Sequence, residues 1–153
     1  MSVTDASIPA GTTIAAVLQR TPVAQLETRI LLGHVTRLSR VQLITQSERA
    51  LTADEAQQLS QLFARRLAGE PIAYLTGERE FYGLSFDVSP AVLIPRPDTE
   101  LLVELALQYL PPQGRVLDMG TGSGAIAIAI AHARPDAVVT ALDVSAEALA
   151  IAC

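Results

Sequence analysis

Arg115-Val-Leu-Asp-Met-Gly-Thr-Gly-Ser-Gly124 is the stretch of sequence that decides the fold. It predicts a buried strand that runs into a glycine-rich turn. Residues 125–131 alternate Ala and Ile as a strand would, but we predict a helix because the glycines end the strand and alanine is the best helix former. Residues 137–142 predict a second strand that ends at Asp143, 25 residues after Asp118. This order of elements is typical of a site for an adenosine-containing cofactor.

The glycine turn favours one class of cofactor. Glycines let the backbone take positive φ and point its amides at a ligand, and the start of the next helix favours an anionic group. The spacing is Gly-x-Gly-x-Gly, whereas dinucleotide sites use Gly-x-Gly-x-x-Gly. Asp118, just before the turn, would repel a pyrophosphate but can bind an ammonium group. We therefore favour S-adenosylmethionine over NAD; the alternative is an ordinary tight strand–helix turn.

Asp143 has two interpretations. A carboxylate at the end of the second strand can accept hydrogen bonds from both hydroxyls of a ribose. In Asp-Val-Ser145 it can equally serve as a turn or helix-capping aspartate.

Composition limits the remaining possibilities. The chain has 153 residues, of which half are hydrophobic, and a net charge of −5, which argues against a nucleic-acid-coating surface. Residues 1–75 carry seven arginines against six acidic residues, and residues 76–153 carry four against ten. The single cysteine excludes an internal disulfide. The first residues lack a basic region followed by an apolar run, and no apolar run reaches 18 residues, so we expect no signal peptide and no membrane span. The single cysteine is compatible with a reducing cytosol, and we expect a cytoplasmic protein that is monomeric.

The organisation predicted along the chain is α/β with three parts. Residues 1–76 predict a bundle of four or five helices, with Pro22 at a first helical position and a capping box at Thr52-Ala-Asp-Glu55. Residues 77–96 predict a β-hairpin linker, in which residues 81–88 and 92–94 are strands and Ser89-Pro90 is the turn. Residues 97–153 predict the first part of a Rossmann-like domain, opened by a helix and followed by the strand–turn–helix unit above.

Other motifs give weaker signals. Ile94-Pro-Arg-Pro-Asp-Thr-Glu100 is the most distinctive string, but by composition alone it predicts only a rigid start to a helix. Arg65-Arg66 predict a solvated helix face. With one cysteine and two distant histidines, His34 and His132, we expect no metal site.

Several strings together resemble the HemK/PrmC family, the peptide chain release factor glutamine methyltransferases. The match runs from about residue 67 to residue 153 and rests on Pro71-Ile-Ala-Tyr-Leu-Thr-Gly-Glu78, Phe81-Tyr-Gly83, Leu93-Ile-Pro-Arg-Pro-Asp-Thr-Glu100, Leu117-Asp-Met-Gly-Thr-Gly-Ser-Gly124 and Asp143. The resemblance implies a helical N-terminal domain that helps grip the release factor, a hairpin linker and a class I methyltransferase domain. It implies N5-methylation of the glutamine in a Gly-Gly-Gln motif, with S-adenosylmethionine as methyl donor.

The resemblance also assigns the cofactor residues. Those expected to cradle the methionine part are Gly120, Thr121, Gly122, Ser123 and Gly124. Asp143 would bind the ribose, and Asp118 joins the site through the ammonium argument above.

The sequence departs from the family at its catalytic motif. It contains no Asn-Pro-Pro-Tyr string, whose Asn side chain and backbone carbonyl accept the amide hydrogens of the substrate glutamine in that family. We therefore expect the N-terminal portion of an enzyme, inactive alone, and assign no catalytic residue. The alternatives are a ribosomal-protein glutamine methyltransferase, an adenine-modifying enzyme, which the acidic charge disfavours, a non-catalytic release-factor-binding fragment and, more distantly, an NAD oxidoreductase.

Overall fold

The computed structural model describes residues 6–153 and divides the chain into two units, Met1–Thr76 and Gly77–Cys153. The expectation that no signal peptide is present depends on residues 1–5, which lie outside the described residues. No helix within residues 6–153 is both long and apolar enough to cross a membrane. The predicted N-terminal helices, the antiparallel hairpin and the strand–loop–helix–strand beginning of an α/β domain are confirmed.

The first unit, called the helical unit below, contains five helices. Their bounds are α1 Ile14–Gln19, α2 Gln25–Thr36, α3 Arg40–Thr45, α4 Ala53–Leu67 and α5 Ile72–Thr76. The predicted capping box of α4 is present, since the Thr52 side chain accepts the Glu55 N–H and Glu55 accepts the Thr52 N–H. Gly69, with φ +97°, ends α4 in a Schellman motif, because the Gly69 N–H donates to the Arg66 carbonyl and the Glu70 N–H to the Arg65 carbonyl.

All five helices contribute to one apolar core. Its largest fully buried members include Ile14, Leu31, Leu32, Leu59 and Phe63. Thr28 is also fully buried, and its hydroxyl meets that of Thr21 and donates to the Ala24 carbonyl. The helical unit thus closes its core with side chains from every helix it contains.

One prediction for the helical unit is wrong and another is incomplete. Pro22 does not begin a helix: α2 starts at Gln25, because the Thr21 hydroxyl oxygen accepts the Val23 N–H and holds the chain in a turn. Arg65-Arg66 are not simply solvated. Arg66 Nη2 lies 2.9 Å from Glu27 Oε1 and joins α4 to α2, while Arg65 pairs with Glu70 after the helix.

The second unit, called the α/β unit below, begins with an antiparallel hairpin of β1, Glu78–Phe81, and β2, Leu84–Asp87. The prediction of one strand over residues 81–88 and another over 92–94 is wrong. Tyr82 and Gly83, both with positive φ, form the hairpin turn, which suits the twist of two antiparallel strands. Ser89-Pro90 does make a turn, closed by the Val92 N–H on the Ser89 carbonyl, but no second strand follows it.

The rest of the α/β unit follows the predicted order. A short 3₁₀ helix, Pro97–Thr99, leads into α6. The elements and their bounds are α6 Glu100–Tyr109, β3 Arg115–Met119, α7 Ala125–Ala133, β4 Val138–Leu142 and α8 Ala146–Ala152. The alternating Ala/Ile segment is therefore helical, as predicted. Glu100 Oε1 accepts the Tyr82 N–H at 3.0 Å and fixes the hairpin turn to the start of α6.

Strands β3 and β4 pair in parallel, with Asp118 opposite Ala141. Side chains on one face, including Val116 and Val139, pack into a core formed with Phe81, Val103 and Ile130. The other face stays open among the described residues, and its exposed members are Leu117, Met119, Val138 and Leu142. The parallel pairing brings the carboxyl ends of both strands to one edge, and this edge positions the site.

Candidate cofactor site

The glycine loop, residues 120–124, connects β3 to α7 beside the end of β4. The N–H groups of Gly120 and Thr121 both donate to the Leu142 carbonyl, at 2.8 and 3.0 Å. The Gly122 N–H donates to Asp143 Oδ2 at 2.9 Å. These three amides point at the end of β4, so the expectation that they face a ligand is wrong for them. They hold the loop in a fixed conformation instead.

Other amides of the loop remain available. Among residues 6–153, the N–H groups of Ser123, Ala125 and Ile126 donate no hydrogen bond. These amides surround the first turn of the nine-residue helix α7, where backbone N–H groups and the helix dipole favour an anion. The anion-binding part of the predicted site thus lies at the end of the glycine loop.

The three glycines of the loop have two different roles. Gly120 and Gly122 have φ of +76° and +57°, and a Cβ at either position would meet no atom within 4 Å. Gly124 also has positive φ, but its Cβ would lie 2.9 Å from Ile128 Cδ1 and 3.2 Å from Ala152 Cβ. The first two therefore leave open space over the loop, and the third allows α7 and α8 to approach closely.

Two hydroxyl side chains of the loop are buried. Thr121 is 8% exposed and donates its hydroxyl to Asp118 Oδ2 at 2.7 Å, while Ser123 is 4% exposed. This bond ties the carboxylate at the end of β3 to the loop. It leaves the second oxygen, Asp118 Oδ1, without a donor among the described residues, so Asp118 keeps the capacity to accept from an ammonium group.

Asp143 joins the loop to the start of α8. Its Oδ1 accepts the Ser145 N–H and its Oδ2 accepts the Gly122 N–H, each at 2.9 Å. These backbone donors, that of Ser145 first, lower the pKa of the Asp143 carboxyl below its usual value. Asp143 therefore does act as a turn aspartate, as one of its two interpretations predicts. An ionised carboxylate has about four acceptor positions, so two further hydrogen bonds remain possible.

A cavity of about 140 Å³ lies against the loop. One wall is formed by Gly120 to Ser123 and the start of α7, and another by Pro95, Arg96 and Thr99 from the distinctive proline-containing string. Arg96 is exposed and forms no ion pair within residues 6–153. Sequence reasoning missed Arg96 as a site residue; the signal was the arginine held between two prolines, which composition alone reduces to a helix start.

The geometry fits a cofactor with an anionic end and a cationic group beside each other. Free amides and Arg96 suit a carboxylate, and Asp118 suits an ammonium group. The open space above Gly120 and Gly122 suits the atoms between them. No group of three or more His, Cys, Asp or Glu able to hold a metal ion occurs in the described part of the chain.

Each of the two units contains a region that matches a known protein family. Residues 12–77 match the model of the PrmC N-terminal domain, and residues 97–153 match that of the methyltransferase small domain. The chain is 53% identical over 146 residues to a release factor glutamine methyltransferase of Burkholderia pseudomallei, which covers 94% of this chain and 51% of that protein. It is 51% identical over 136 residues to the Escherichia coli K12 protein of the same name, with 88% and 49% covered.

The chain spans about half the length of the curated relatives it matches. The matched domains follow one another in the order that the motifs of the sequence indicate, helical domain first and cofactor loop second. With about half of all aligned residues identical to these relatives, the chain belongs to the HemK/PrmC family and corresponds to the N-terminal portion of its members.

Proposed function

We propose that this chain is the cofactor-binding and substrate-recognising portion of an S-adenosylmethionine-dependent methyltransferase that modifies the glutamine of the Gly-Gly-Gln motif in peptide chain release factors. The observation that carries the proposal is the fixed glycine loop between Asp118 and Asp143, in a chain whose relatives are named release factor glutamine methyltransferases. The cofactor, when bound, supplies a methyl group on a sulfonium sulfur.

The residues divide the binding task by charge. The free amides at Ser123 and at the start of α7 hold the methionine carboxylate, with Arg96 as a second cation on the same wall of the cavity. Asp118, oriented by the Thr121 hydroxyl, accepts from the methionine ammonium group. Asp143 uses its remaining acceptor positions for the ribose hydroxyls. Each assignment places a charged cofactor group against its opposite or against a matching hydrogen-bond partner.

Asp143 acts in two ways at once under this proposal. Its bonds to Gly122 and Ser145 fix the loop before the cofactor arrives, so that little ordering is needed on binding. The same backbone donors lower the pKa of the Asp143 carboxyl and so favour its ionised form, which is the stronger acceptor for ribose hydroxyls.

Catalysis requires more than these residues provide. The sequence holds no Asn-Pro-Pro-Tyr string, so the amide and carbonyl acceptors that this motif supplies in the family are not provided by it. A glutamine nitrogen is a weak nucleophile until its hydrogens are accepted and its orientation is fixed. We propose that residues 1–153 bind cofactor and substrate without transferring the methyl group.

The test is calorimetric titration of the chain with S-adenosylmethionine, followed by an assay for methyl transfer to a release factor. We expect binding that falls roughly tenfold or more in Asp143→Ala, since hydrogen bonds to charged groups are among the strongest. Asp54→Ala, which removes an equal charge from the helical unit, is the matched control. If Asp143→Ala binds S-adenosylmethionine as tightly as the native chain, Asp143 does not bind the ribose. Methyl transfer by residues 1–153 alone would refute the proposal that these residues bind without catalysing.

A further inference from the structure

The arginines of the helical unit form two groups. Three make ion pairs within the unit, and these are Arg49 with Glu55, Arg65 with Glu70 and Arg66 with Glu27. The others have no carboxylate within ion-pair distance among residues 6–153, and these are Arg20, Arg29, Arg37 and Arg40. All the ion-paired arginines lie on α4 or just before it, whereas none lies on α1, α2 or α3. The unpaired positive charge therefore gathers on or beside the first three helices.

Two of the unpaired arginines line an apolar groove. Arg29 of α2 and Arg40 of α3 border a groove of about 230 Å³ whose other lining residues are all aliphatic, namely Leu18, Leu26, Leu43 and Ile44. Leu43 is buried, but Leu26 and Ile44 are 59% and 76% exposed. The exposed aliphatic side chains lie beside two cations in one groove, so a single partner segment can meet both at once.

We propose that this arginine groove, formed by Leu18, Leu26, Arg29, Arg40, Leu43 and Ile44, is the docking surface for the protein substrate. Its occupant is a segment of that protein in which apolar side chains are flanked by carboxylates. The inference rests on the proposed function for the identity of the substrate, but the groove and its chemistry come from the helical unit alone.

Charge complementarity determines the chemistry of the occupant. Arg29 and Arg40 can each form a two-pronged pair with a carboxylate, and no acid of residues 6–153 lies within ion-pair distance of them. Residues 76–153 hold ten acidic residues against four arginines, whereas residues 1–75 hold six against seven. An acidic segment is therefore attracted to the helical unit and not to the α/β unit.

The lining favours a peptide over a nucleic acid. Proteins that bind single-stranded nucleic acid combine positive charge with aromatic side chains on which bases stack. No aromatic residue lines the groove, and the chain as a whole carries a net charge of −5. Aliphatic walls suit the Leu, Ile or Val side chains of a peptide segment instead.

The test compares variants of matched charge. A fluorescently labelled release factor is titrated with the full chain, with the double variant Arg29→Glu/Arg40→Glu, and with Arg20→Glu and Arg20→Glu/Arg37→Glu as controls outside the groove. We expect the groove variant to raise Kd by roughly tenfold or more, because like charges facing each other across an interface are strongly unfavourable. The control of equal charge changes Kd much less. Ile44→Ser, at a largely exposed position, tests the aliphatic wall without disturbing the core.

The outcomes separate this inference from the proposed function. If the native chain binds the release factor and the groove variant binds equally well, the groove is not the docking surface, while the proposed function stands. If the native chain binds S-adenosylmethionine but no release factor, both the substrate assignment and the groove fail. Helix content measured by circular dichroism must be equal for all variants, so that lost binding reports the surface.

Two other occupants give distinct results. If an RNA oligonucleotide binds the native chain and displaces the release factor, and the groove variant loses only RNA binding, the occupant is a nucleic acid and the inference is overturned. A concentration-dependent dimer that disappears in the groove variant would assign the groove to a second copy of the chain, which also overturns it. The inference predicts neither.

Discussion

Among the described residues, the helical unit has one cluster of eleven buried apolar residues, ten of them from its five helices and one, Leu51, from the connection before α4, whereas the main cluster of the α/β unit has six. The α/β unit leaves Leu117, Met119, Val138 and Leu142 exposed on one face of β3 and β4. Yet it holds the glycine loop, with three glycines in left-handed conformation. The comparison teaches that the two units differ in what their residues do. The helical unit buries the larger apolar core, whereas the α/β unit places its glycine loop and two aspartates at the ends of β3 and β4.

The largest expected effect lies in the core of the helical unit. Phe63 is 1% exposed, so Phe63→Ala leaves a cavity and lowers the free energy of unfolding by about 3–5 kcal/mol. Val41→Ala, at a position that is 69% exposed, is the control and changes it by less than about 0.5 kcal/mol. Urea unfolding followed by circular dichroism measures both. A loss below about 1 kcal/mol in Phe63→Ala would mean that this core repacks freely.

The next effect separates backbone strain from ligand binding. Gly122→Ala forces a side chain into φ +57° and costs about 1–2 kcal/mol of stability. It also places a methyl group over the loop, so S-adenosylmethionine affinity falls. Gly11→Ala, at φ +83° with equally open space, matches the strain in the helical unit. Equal cofactor affinities in the two variants would contradict the assignment of the loop.

A smaller effect compares helix caps in the two units. Thr52 caps α4 and Ser145 caps α8, each by accepting one backbone N–H. Replacing either by Ala lowers stability by about 1 kcal/mol, as for other N-caps. Gln57→Ala, at an exposed position in the middle of α4, is the control. Thermal unfolding of the variants checks the values; Ser145→Ala additionally weakens cofactor binding if this cap positions Asp143.

The smallest effect is a pH dependence. The backbone N–H groups of Ser145 and Gly122 lower the pKa of Asp143 in the folded chain, relative to about 3.9 when unfolded. The stability this gives is therefore fully present above about pH 4 and is lost as the pH falls through the lowered pKa. Carboxyl NMR titration of the folded chain should give a value below that of the same residue in guanidinium chloride. Identical pKa values in the folded and the unfolded chain would mean that Asp143 makes no pH-dependent contribution to stability.

Local signals predicted most elements correctly. Thr52-Ala-Asp-Glu55 predicted the start of α4, since a capping box satisfies its own amides whatever surrounds it. The glycines at 120–124 predicted the break between β3 and α7, because left-handed φ is costly for other residues.

The errors have physical reasons as well. The hairpin turn was missed because Tyr82 takes φ +53°, a conformation rare for a side chain that is not glycine, and Glu100 from α6 stabilises the turn from 18 residues away. The pairing of Arg66 with Glu27 depends on how α4 lies against α2, which no local pattern encodes.

The sequence by itself determined the class of the protein: the helical region, the strand–glycine loop–helix unit and the two acids that end the strands are local patterns of residue type and spacing. Tertiary structure alone decided what these residues face. It directed three loop amides at the end of β4, brought Arg96 to the cavity beside the glycine loop and, among residues 6–153, left Arg29 and Arg40 without an ion-pair partner. Backbone preferences act over a few residues, whereas such contacts depend on how separate elements pack, and a single sequence does not encode that packing locally.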